Sequence, residues 1–373
     1  MAKLRIALLG SRGIPARYGG YETLMEEIST RLCAMGHEVT VYCRSHYTRP
    51  DEREHEGVEL VVLPTLRTKH LDTPAHTLLS ALHAAGRRFS GHRYDAVLMV
   101  NSANALFLPI LRLAGLPTAL HVDGIEKRRA KWGPLGRAVY ALSERLACVL
   151  PTLLVTDAEV IRDHYRARYG AESTMITYGV EPEPPAARGE LERLGLEAGR
   201  YLLYVSRFEP ENNPHRVVEA FASVAGDVPL VMVGHAPYAD RFIARVRAAA
   251  DSRVRFPGAI YGDGYRELQE GALAYVHATE VGGTHPALVE AMGYGKCLLV
   301  NDTPENREVA GDAALYFRAS SPVSLAAVME KALHEPEIAA ELGRAAALRA
   351  RERYSWERVS RRYEALFREL ATD

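Results

Sequence analysis

Cysteine is scarce in this chain of 373 residues: Cys33, Cys43, Cys148 and Cys297 stand far apart, with no C-x-x-C pairing. That spacing argues against a zinc site or a disulfide framework and fits buried thiols in a reducing compartment. Charge of one sign is lacking too. Lys and Arg number 46 against 47 Asp and Glu, a net charge of −1, so nothing draws the whole chain to a polyanion and nucleic acid is not an expected partner. Apolar runs fall well short of the ~20 residues a bilayer span needs, and Met1-Ala2-Lys3 leads straight into a strand pattern with no charged-then-apolar leader. The expectation is a soluble, cytoplasmic protein, peripheral at most at the inner face of a membrane. No G-x-G-x-x-G occurs after a strand, which leaves a dinucleotide fingerprint unsupported. No D-x-D stands at a strand end, which agrees with chemistry that needs no metal ion and no cofactor. Short-period repeats and low-complexity tracts are missing as well.

What is present reads as a two-domain enzyme. The length fits two domains of about 100–200 residues each, and 47% hydrophobic with 25% charged residues is ordinary for a globular protein. Short β-branched apolar runs recur at 4–9, 37–42, 58–63, 94–100 and 153–156, and in the second half at 201–205, 230–233, 253–256 and 297–300. Helical spacing lies between them. Strands alternating with helices in this way predict doubly wound parallel sheets with right-handed crossovers. Prolines at 182, 184 and 185 mark a linker.

The stretch VHATEVGGTHPALVEAMGYGKCLL, 276–299, carries the densest signal. A short apolar run gives way to a glycine-broken loop, then to a segment in which Leu288, Ala291 and Met292 recur at i, i+3 and i+4, one face of a helix. Pro286 is tolerated in a first helical turn, where its missing N–H needs no partner. Glycine backbone at the positive end of a helix makes a site for phosphate. Glu290, one turn in, faces the same mouth and can accept hydrogen bonds from vicinal sugar hydroxyls. On spacing alone, an ordinary strand–loop–helix turn with a solvated Glu290 is an equal reading.

This segment resembles the donor-sugar loop of the retaining glycosyltransferases of family 4, which have the two-domain GT-B fold. Their pattern is a Glu, a glycine-rich loop, a second Glu and then Ala-Met-x-x-Gly. Glu290-Ala291-Met292-Gly293-Tyr294-Gly295 matches the second half, whereas Gly282 stands at the first Glu and the nearest acid is Glu280. The EVGGTHP wording also resembles rhamnosyltransferases of surface-polysaccharide assembly. The resemblance implies that the amides of Gly283, Thr284 and His285 bind the donor and that Glu290 holds its ribose. Arg207 follows a strand and matches the family's diphosphate-binding Arg; its planar fork suits two phosphate oxygens. Asn212 occupies the place of the Lys that follows that Arg. Gly234 lies in a further strand-to-loop, and Ile260 and Tyr261 match the segment whose backbone reads the nucleobase.

In the first half, Gly19 and Gly20 before a helical pattern resemble the family's N-terminal loop, which implies that they bind the donor, and Arg17 and Tyr18 beside them are candidates for the acceptor. Arg12 and Arg17 read equally well as solvated side chains. His121 and Asp123 lie just past a strand end, where open α/β sheets place their chemistry. His121 matches a histidine used near the donor sugar, and Asp123 and Glu126 resemble the acceptor-side segment. A lone histidine is also often structural. Lys127, Arg128, Arg129, Lys131 and Arg137 gather around Trp132. They read as a solvated helix face or as a basic, aromatic-anchored patch for anionic lipid or an acceptor pyrophosphate.

Together these readings give an N-terminal acceptor domain at 1–181, a linker at 182–198, a nucleotide-sugar domain at 199–350 and a closing helix at 351–373 that packs back on the first domain. The expected catalytic residues are His121, Arg207 and Glu290. The expected reaction is transfer of a hexosyl group, rhamnosyl by subgroup resemblance, from a UDP- or dTDP-linked sugar to a saccharide or lipid-linked saccharide. An epimerase of the same fold and a non-catalytic saccharide-binding protein are the alternatives.

Overall fold

The computed structural model describes residues 2–68, 71–126, 133–236 and 239–372. Two compact units divide them. One comprises the described residues up to Tyr178 with those from Trp356 onward; the other is Gly179–Ser355.

In the first unit, β1 (Arg5–Leu9), β2 (Glu38–Arg44), β3 (Glu54–His55), β4 (Val58–Leu63), β5 (Ala96–Val100), β6 (Thr118–Val122), β7 (Leu153–Thr156) and β8 (Thr174–Met175) form one sheet. Their order is β3-β4-β2-β1-β5-β6-β7-β8, and all pairs are parallel except the short β3 against β4. Alternate side chains along a strand reach opposite faces. Ile6 and Leu8 therefore join one core with Leu24, Ile28 and Leu32 of α1 (Gly20–Ala34). Ala7 and Leu9 join another beneath α2 (Asp72–Arg87), α3 (Leu108–Leu113), α4 (Pro134–Ala147) and α5 (Glu159–Tyr169). Both faces are covered, which is why these strands read as unbroken apolar runs.

The second unit has six parallel strands: β9 (Leu202–Val205), β10 (Leu230–Val233), β11 (Val254–Gly258), β12 (Ala274–His277), β13 (Cys297–Asn301) and β14 (Ala314–Phe317). Their order is β11-β10-β9-β12-β13-β14. The helices are α6 (Glu190–Leu194), α7 (Pro214–Phe221), α8 (Asp240–Ala248), α9 (Gly262–Gly271), α10 (Pro286–Gly293), α11 (Pro304–Ala310), α12 (Pro322–His334) and α13 (Pro336–Arg353). Five of these open on proline, whose fixed φ and missing N–H cost nothing in a first turn. The chain of strands runs outward from β9 to β11, then returns to β12 beside β9 and runs the other way. In the first unit the same reversal falls between β1 and β5. Such switch points leave a crevice at the carboxyl ends of the two central strands.

The segment 182–198, read above as a linker, belongs to the second unit. The amides of Ala186 and Ala187 donate to Asp263 at 3.1 and 3.2 Å, and those of Gly189 and Glu190 donate to Glu267 at 2.9 and 2.7 Å. Carboxylates on α9 thus satisfy the backbone that the prolines keep out of a helix. The units divide instead at Tyr178–Gly179 and at Ser355–Trp356.

The closing helix, α14 (Trp356–Thr372), is part of the first unit. Trp356, Val359, Tyr363, Leu366, Phe367 and Leu370 form one apolar stripe at helical spacing and are buried with α1 and the sheet. Glu364 on its flank meets His37 Nε2 at 3.3 Å. Truncating Phe367, which is fully buried, to Ala should cost about 3–5 kcal/mol. Urea unfolding followed by a first-unit probe checks this; a loss below about 1 kcal/mol would mean that α14 is a dispensable strap.

Candidate active site

In the second unit the sequence candidates converge on the switch point. Arg207 leaves the end of β9 and the loop Glu280–His285 leaves the end of β12, the two central strands. Two consecutive asparagines bind this corner together. Asn212 donates its side-chain amide to the Arg207 carbonyl at 2.7 Å, and its own carbonyl accepts from the Tyr204 hydroxyl at 2.8 Å. The residue in the lysine position is therefore buried and turned inward, pinning the Arg207 loop from beneath. Asn213 adopts a left-handed φ of 56°, a conformation that asparagine tolerates. Its amide donates to the Ala278 carbonyl at 2.9 Å and to the Glu280 carboxylate at 3.0 Å. The Glu280 amide donates back to the Glu211 carbonyl at 2.9 Å. Glu280, the nearest acid to the missing first Glu, is thus engaged with Asn213.

The loops after β9, β10 and β11 are laced to one another by backbone. Ser206 donates to Val233 at 3.1 Å, and Gly234 donates to Gly258 at 2.9 Å. Gly234 has φ +149°, and a Cβ there would lie 1.9 Å from the Ser206 carbonyl oxygen, so only glycine permits this approach. Ile260 packs against the second unit's core while Tyr261 is exposed.

The glycine loop of β12 leads into α10 through His285, whose carbonyl accepts from the amides of Leu288 and Val289. Gly282 and Gly283 are buried, and the Gly283 amide meets no carbonyl among the described residues. A Cβ on Gly282 would fall 2.3 Å from His285 Cε1. The imidazole therefore occupies the volume over Gly282. The His285 ring lies 4.8 Å from that of His277, whose buried Nε2 finds no partner among the described residues. Burial pushes the His277 pKa down to about 3, so that ring is neutral.

Glu290 is half-buried in α10, and its carboxylate accepts from the Tyr265 hydroxyl of α9. Gln269, one turn along α9, donates to the same hydroxyl at 2.7 Å. Desolvation raises the Glu290 pKa above the ordinary carboxylate value, and the Tyr265 hydrogen bond offsets part of that rise. Sequence reasoning did not foresee Tyr265 and Gln269. Their signal was an i, i+4 pair on a helix, which names no partner on another element.

In the first unit the loop after β1 is held by acids of α1. The Arg12 amide donates to Glu22 at 2.8 Å and the Ala16 amide to Glu26 at 3.0 Å. The Arg12 guanidinium lies 3.4 Å over the Tyr18 ring, a cation–π contact. The Arg17 amide donates to the Tyr47 hydroxyl. Gly19 begins α1, and its carbonyl accepts from the amides of Glu22 and Thr23; Gly20 is the first residue of the helix.

His121 requires a correction. Its ring is fully buried rather than open to a sugar. Nδ1 lies 2.7 Å from the Tyr363 hydroxyl of α14, and Tyr21 meets the ring edge-on at 5.7 Å. Burial pushes its pKa down to about 3. A group sealed among tyrosines can orient neighbours but cannot touch a substrate. Its strand-end position gave the right neighbourhood and the wrong exposure, because α14 arrives from the far end of the chain. Asp123 remains half-buried and hydrogen-bonded with the Tyr21 hydroxyl, while Glu126 is buried. The patch Lys127, Arg128, Arg129, Lys131 and Trp132 lies outside the described residues; Arg137 is exposed on α4.

The raised pKa of Glu290 has a stability consequence. A carboxyl whose folded pKa is raised contributes stability below its unfolded pKa, and that contribution is lost as pH rises through the folded value. Glu290→Gln should therefore raise the melting temperature at pH 8 relative to the parent, with the gain shrinking toward zero near pH 4. A variant less stable by the same amount at both pH values would refute the desolvation account.

Comparison with known proteins bears on both units. Residues 19–179 match the family model described as Glycosyl transferase 4-like domain, and residues 191–349 that described as Glycosyl transferases group 1. No curated protein matches the chain by sequence. Among solved structures, the chain is similar to sucrose-phosphate synthase from Thermosynechococcus elongatus, with 17% identity, 99% of each chain covered and a TM-score of 0.84. It is also similar to Anabaena HepE in complex with UDP and glucose, with 15% identity, 98% of this chain and 100% of that one covered and a TM-score of 0.78. The α,α-trehalose 6-phosphate synthase from Burkholderia multivorans gives 13%, 100%, 98% and 0.75 in the same order. At such identities the likeness shows the fold. With a glycosyltransferase domain model matched in each half and two doubly wound parallel sheets in GT-B form, the chain is a glycosyltransferase of the GT-B type.

Proposed function

We propose that the protein is a retaining hexosyltransferase whose second unit binds a nucleotide-sugar donor and whose first unit binds a saccharide or lipid-linked saccharide acceptor. The observation that carries this reading is the corner at the β9–β12 switch point, where Asn212 holds the Arg207 carbonyl and Asn213 ties the loop after β9 to Ala278 and Glu280, just before the Gly283–His285 loop. The leaving group of such a transfer is a nucleoside diphosphate. A guanidinium and a fan of amides, fixed before the reaction, suit the negative charge that grows as the bond from the anomeric carbon to the diphosphate breaks. The acceptor oxygen then bonds to that carbon and passes its proton to the departing diphosphate oxygen. Arg207 and the loop amides would do the work of a divalent ion, so the transfer needs none. Glu290, held by Tyr265, accepts the hydroxyls of the ribose, and Ile260 and Tyr261 present backbone to the base. Gly234, whose missing side chain lets the Ser206 carbonyl approach, adds its backbone to the donor side. We place Gly19 and Gly20 among the donor contacts, and Arg17, Tyr18, Asp123 and Glu126 on the acceptor side. His121 takes a positioning role behind Asp123.

The Anabaena HepE structures that share this fold hold UDP with glucose or UDP-glucose. That supports a nucleotide-sugar donor, UDP-linked in the first instance and dTDP-linked as the second choice. The EVGGTHP loop favours a rhamnosyl group among the hexosyl donors.

A nucleoside diphosphate release assay, run over UDP-, dTDP- and GDP-sugars with saccharide acceptors, tests the proposal. Release should depend on acceptor, should survive EDTA, and should fall about 10²–10³-fold in kcat/KM in Arg207→Ala. Donor consumption without acceptor would point to an epimerase. Full activity in Arg207→Ala would refute the assignment of the site.

A further inference from the structure

Strands β4, β2 and β1 are neighbours in the first sheet and run parallel. The chain segments that leave their carboxyl ends therefore meet at one edge of the sheet, where open α/β folds take their ligands. Arg44 closes β2, and its amide donates to the Arg12 carbonyl, in the loop after β1, at 2.8 Å. The next amide, that of Ser45, donates to the Leu63 carbonyl at the end of β4 at 3.0 Å. The connection from β4 to α2 returns to the same corner. Asp72, the first residue of α2, accepts from Arg44 Nη1 at 2.5 Å, and the Thr73 hydroxyl accepts from Nη2 at 3.1 Å.

Three guanidinium groups share this corner. Arg44 is only 3% exposed and is paired with Asp72. Arg12 is half-buried, with its guanidinium held over the Tyr18 ring, and Arg67 is exposed in the segment between β4 and α2. Neither Arg12 nor Arg67 meets a carboxylate within ion-pair distance among the described residues. The acids at hand are engaged elsewhere. Glu22 accepts from the Arg12 amide at 2.8 Å, Asp72 is taken by Arg44, and Asp51 with Glu52, farther along the loop after β2, is flanked by Arg49 and Arg53.

His46 stands among these charges. Its Nε2 is 3.8 Å from Asp72, and its Nδ1 is buried with no partner. Burial pushes its pKa below the ordinary value; Asp72 opposes that shift, and Arg44, Arg67 and Arg12 add to it. The ring is therefore neutral at pH 7 and able to donate a hydrogen bond. Arg44 Nε and Asp72 Oδ1 are likewise buried without partners. Buried polar atoms are ordinarily paired, so this concentration marks a place where a ligand completes the bonding.

The donor set names the ligand's chemistry. Two guanidinium forks without a carboxylate, a neutral imidazole and a third cation fixed behind them suit a tetrahedral dianion with three terminal oxygens. A neutral saccharide would leave the charges of Arg12 and Arg67 uncompensated, and one fork would be enough for a carboxylate.

We propose that this corner is a phosphate subsite, in which Arg12, Arg67 and His46 hold a phosphate group carried by the acceptor, over the Arg44–Asp72 pair. The inference rests on the reading of the first unit as the acceptor side and deepens it: the acceptor is a phosphorylated saccharide.

The test has two arms, both on the full chain. The first is isothermal titration with inorganic phosphate in the Arg207→Ala background, which weakens the other phosphate-binding corner. Binding should weaken as salt rises and should fall about ten- to hundredfold on adding Arg12→Gln with Arg67→Gln. Arg67→Gln alone alters an exposed side chain, so its melting temperature should match the parent's, and it carries the test should Arg12→Gln disturb the Tyr18 contact. The second arm offers one saccharide acceptor free and as its phosphate monoester. The parent should prefer the monoester, and Arg67→Gln should lose about tenfold in kcat/KM on the monoester alone, through KM, with the donor KM unchanged. Phosphate affinity that is the same with and without Arg12 and Arg67 would overturn the proposal. Phosphate binding that needs these arginines, with no preference between the two acceptors, would give the site to free phosphate and overturn the acceptor assignment. Absence of turnover with every donor is instead a failure of the transferase reading, and the titration, read without turnover, still decides the site.

Discussion

The hydrogen bonds of Asn213 are the constraint on which the site depends. They cross the point where the second sheet reverses its winding, from the loop after β9 to the carbonyl of Ala278 and the carboxylate of Glu280 after β12. Strand order alone brings Arg207 and the glycine loop to adjacent strand ends; it does not fix their distance or orientation. Asn213 ties the loop after β9 to Ala278 and Glu280 at the start of the loop after β12, with Asn212 holding the Arg207 carbonyl. Both side chains are buried, so the bonds form where water does not compete. A positive side chain and a set of amides so fixed lose little entropy on meeting a diphosphate, which is what preorganisation means in energetic terms.

Electrostatics in both units follow from burial. His121 and His277 are neutral because no opposite charge compensates for the loss of water. They contribute shape and hydrogen-bonding capacity rather than charge. Glu290 lies at the margin: half-buried, hydrogen-bonded by Tyr265, and raised in pKa by desolvation. Keeping that carboxylate ionised while burying it is a cost to the fold.

Much of the fold was legible because its signals are local. Parallel strands buried on both faces read as short apolar runs, and Pro286 marks a helix start that the structure contains. The strand end, loop and helix start across 274–293 were legible for the same reason, since they are contiguous in sequence. What stayed hidden was non-local. Nothing near His121 reveals that Tyr363, 242 residues away, closes over it. Nothing near Glu290 names Tyr265, and Asn212 read as a missing lysine because its true partner, the Arg207 carbonyl, has no sequence signature. The proline-rich stretch misled in another way. Proline signals irregular backbone, and whether that backbone swings free or is pinned depends on Asp263 and Glu267, which lie on a different element.

The measurement that bears most directly on the central claim is amide hydrogen exchange of the full chain with and without UDP, resolved by peptide. Ordered amides at a ligand's phosphates should exchange more slowly when it is bound. The account predicts protection confined to peptides spanning 205–213, 234–236 and 258–294, with the first-unit peptides around 11–20 and 121–126 unchanged by the nucleotide alone. Protection that falls elsewhere, or none at a concentration of UDP where the melting temperature rises, would contradict the placement of the donor at the β9–β12 switch point.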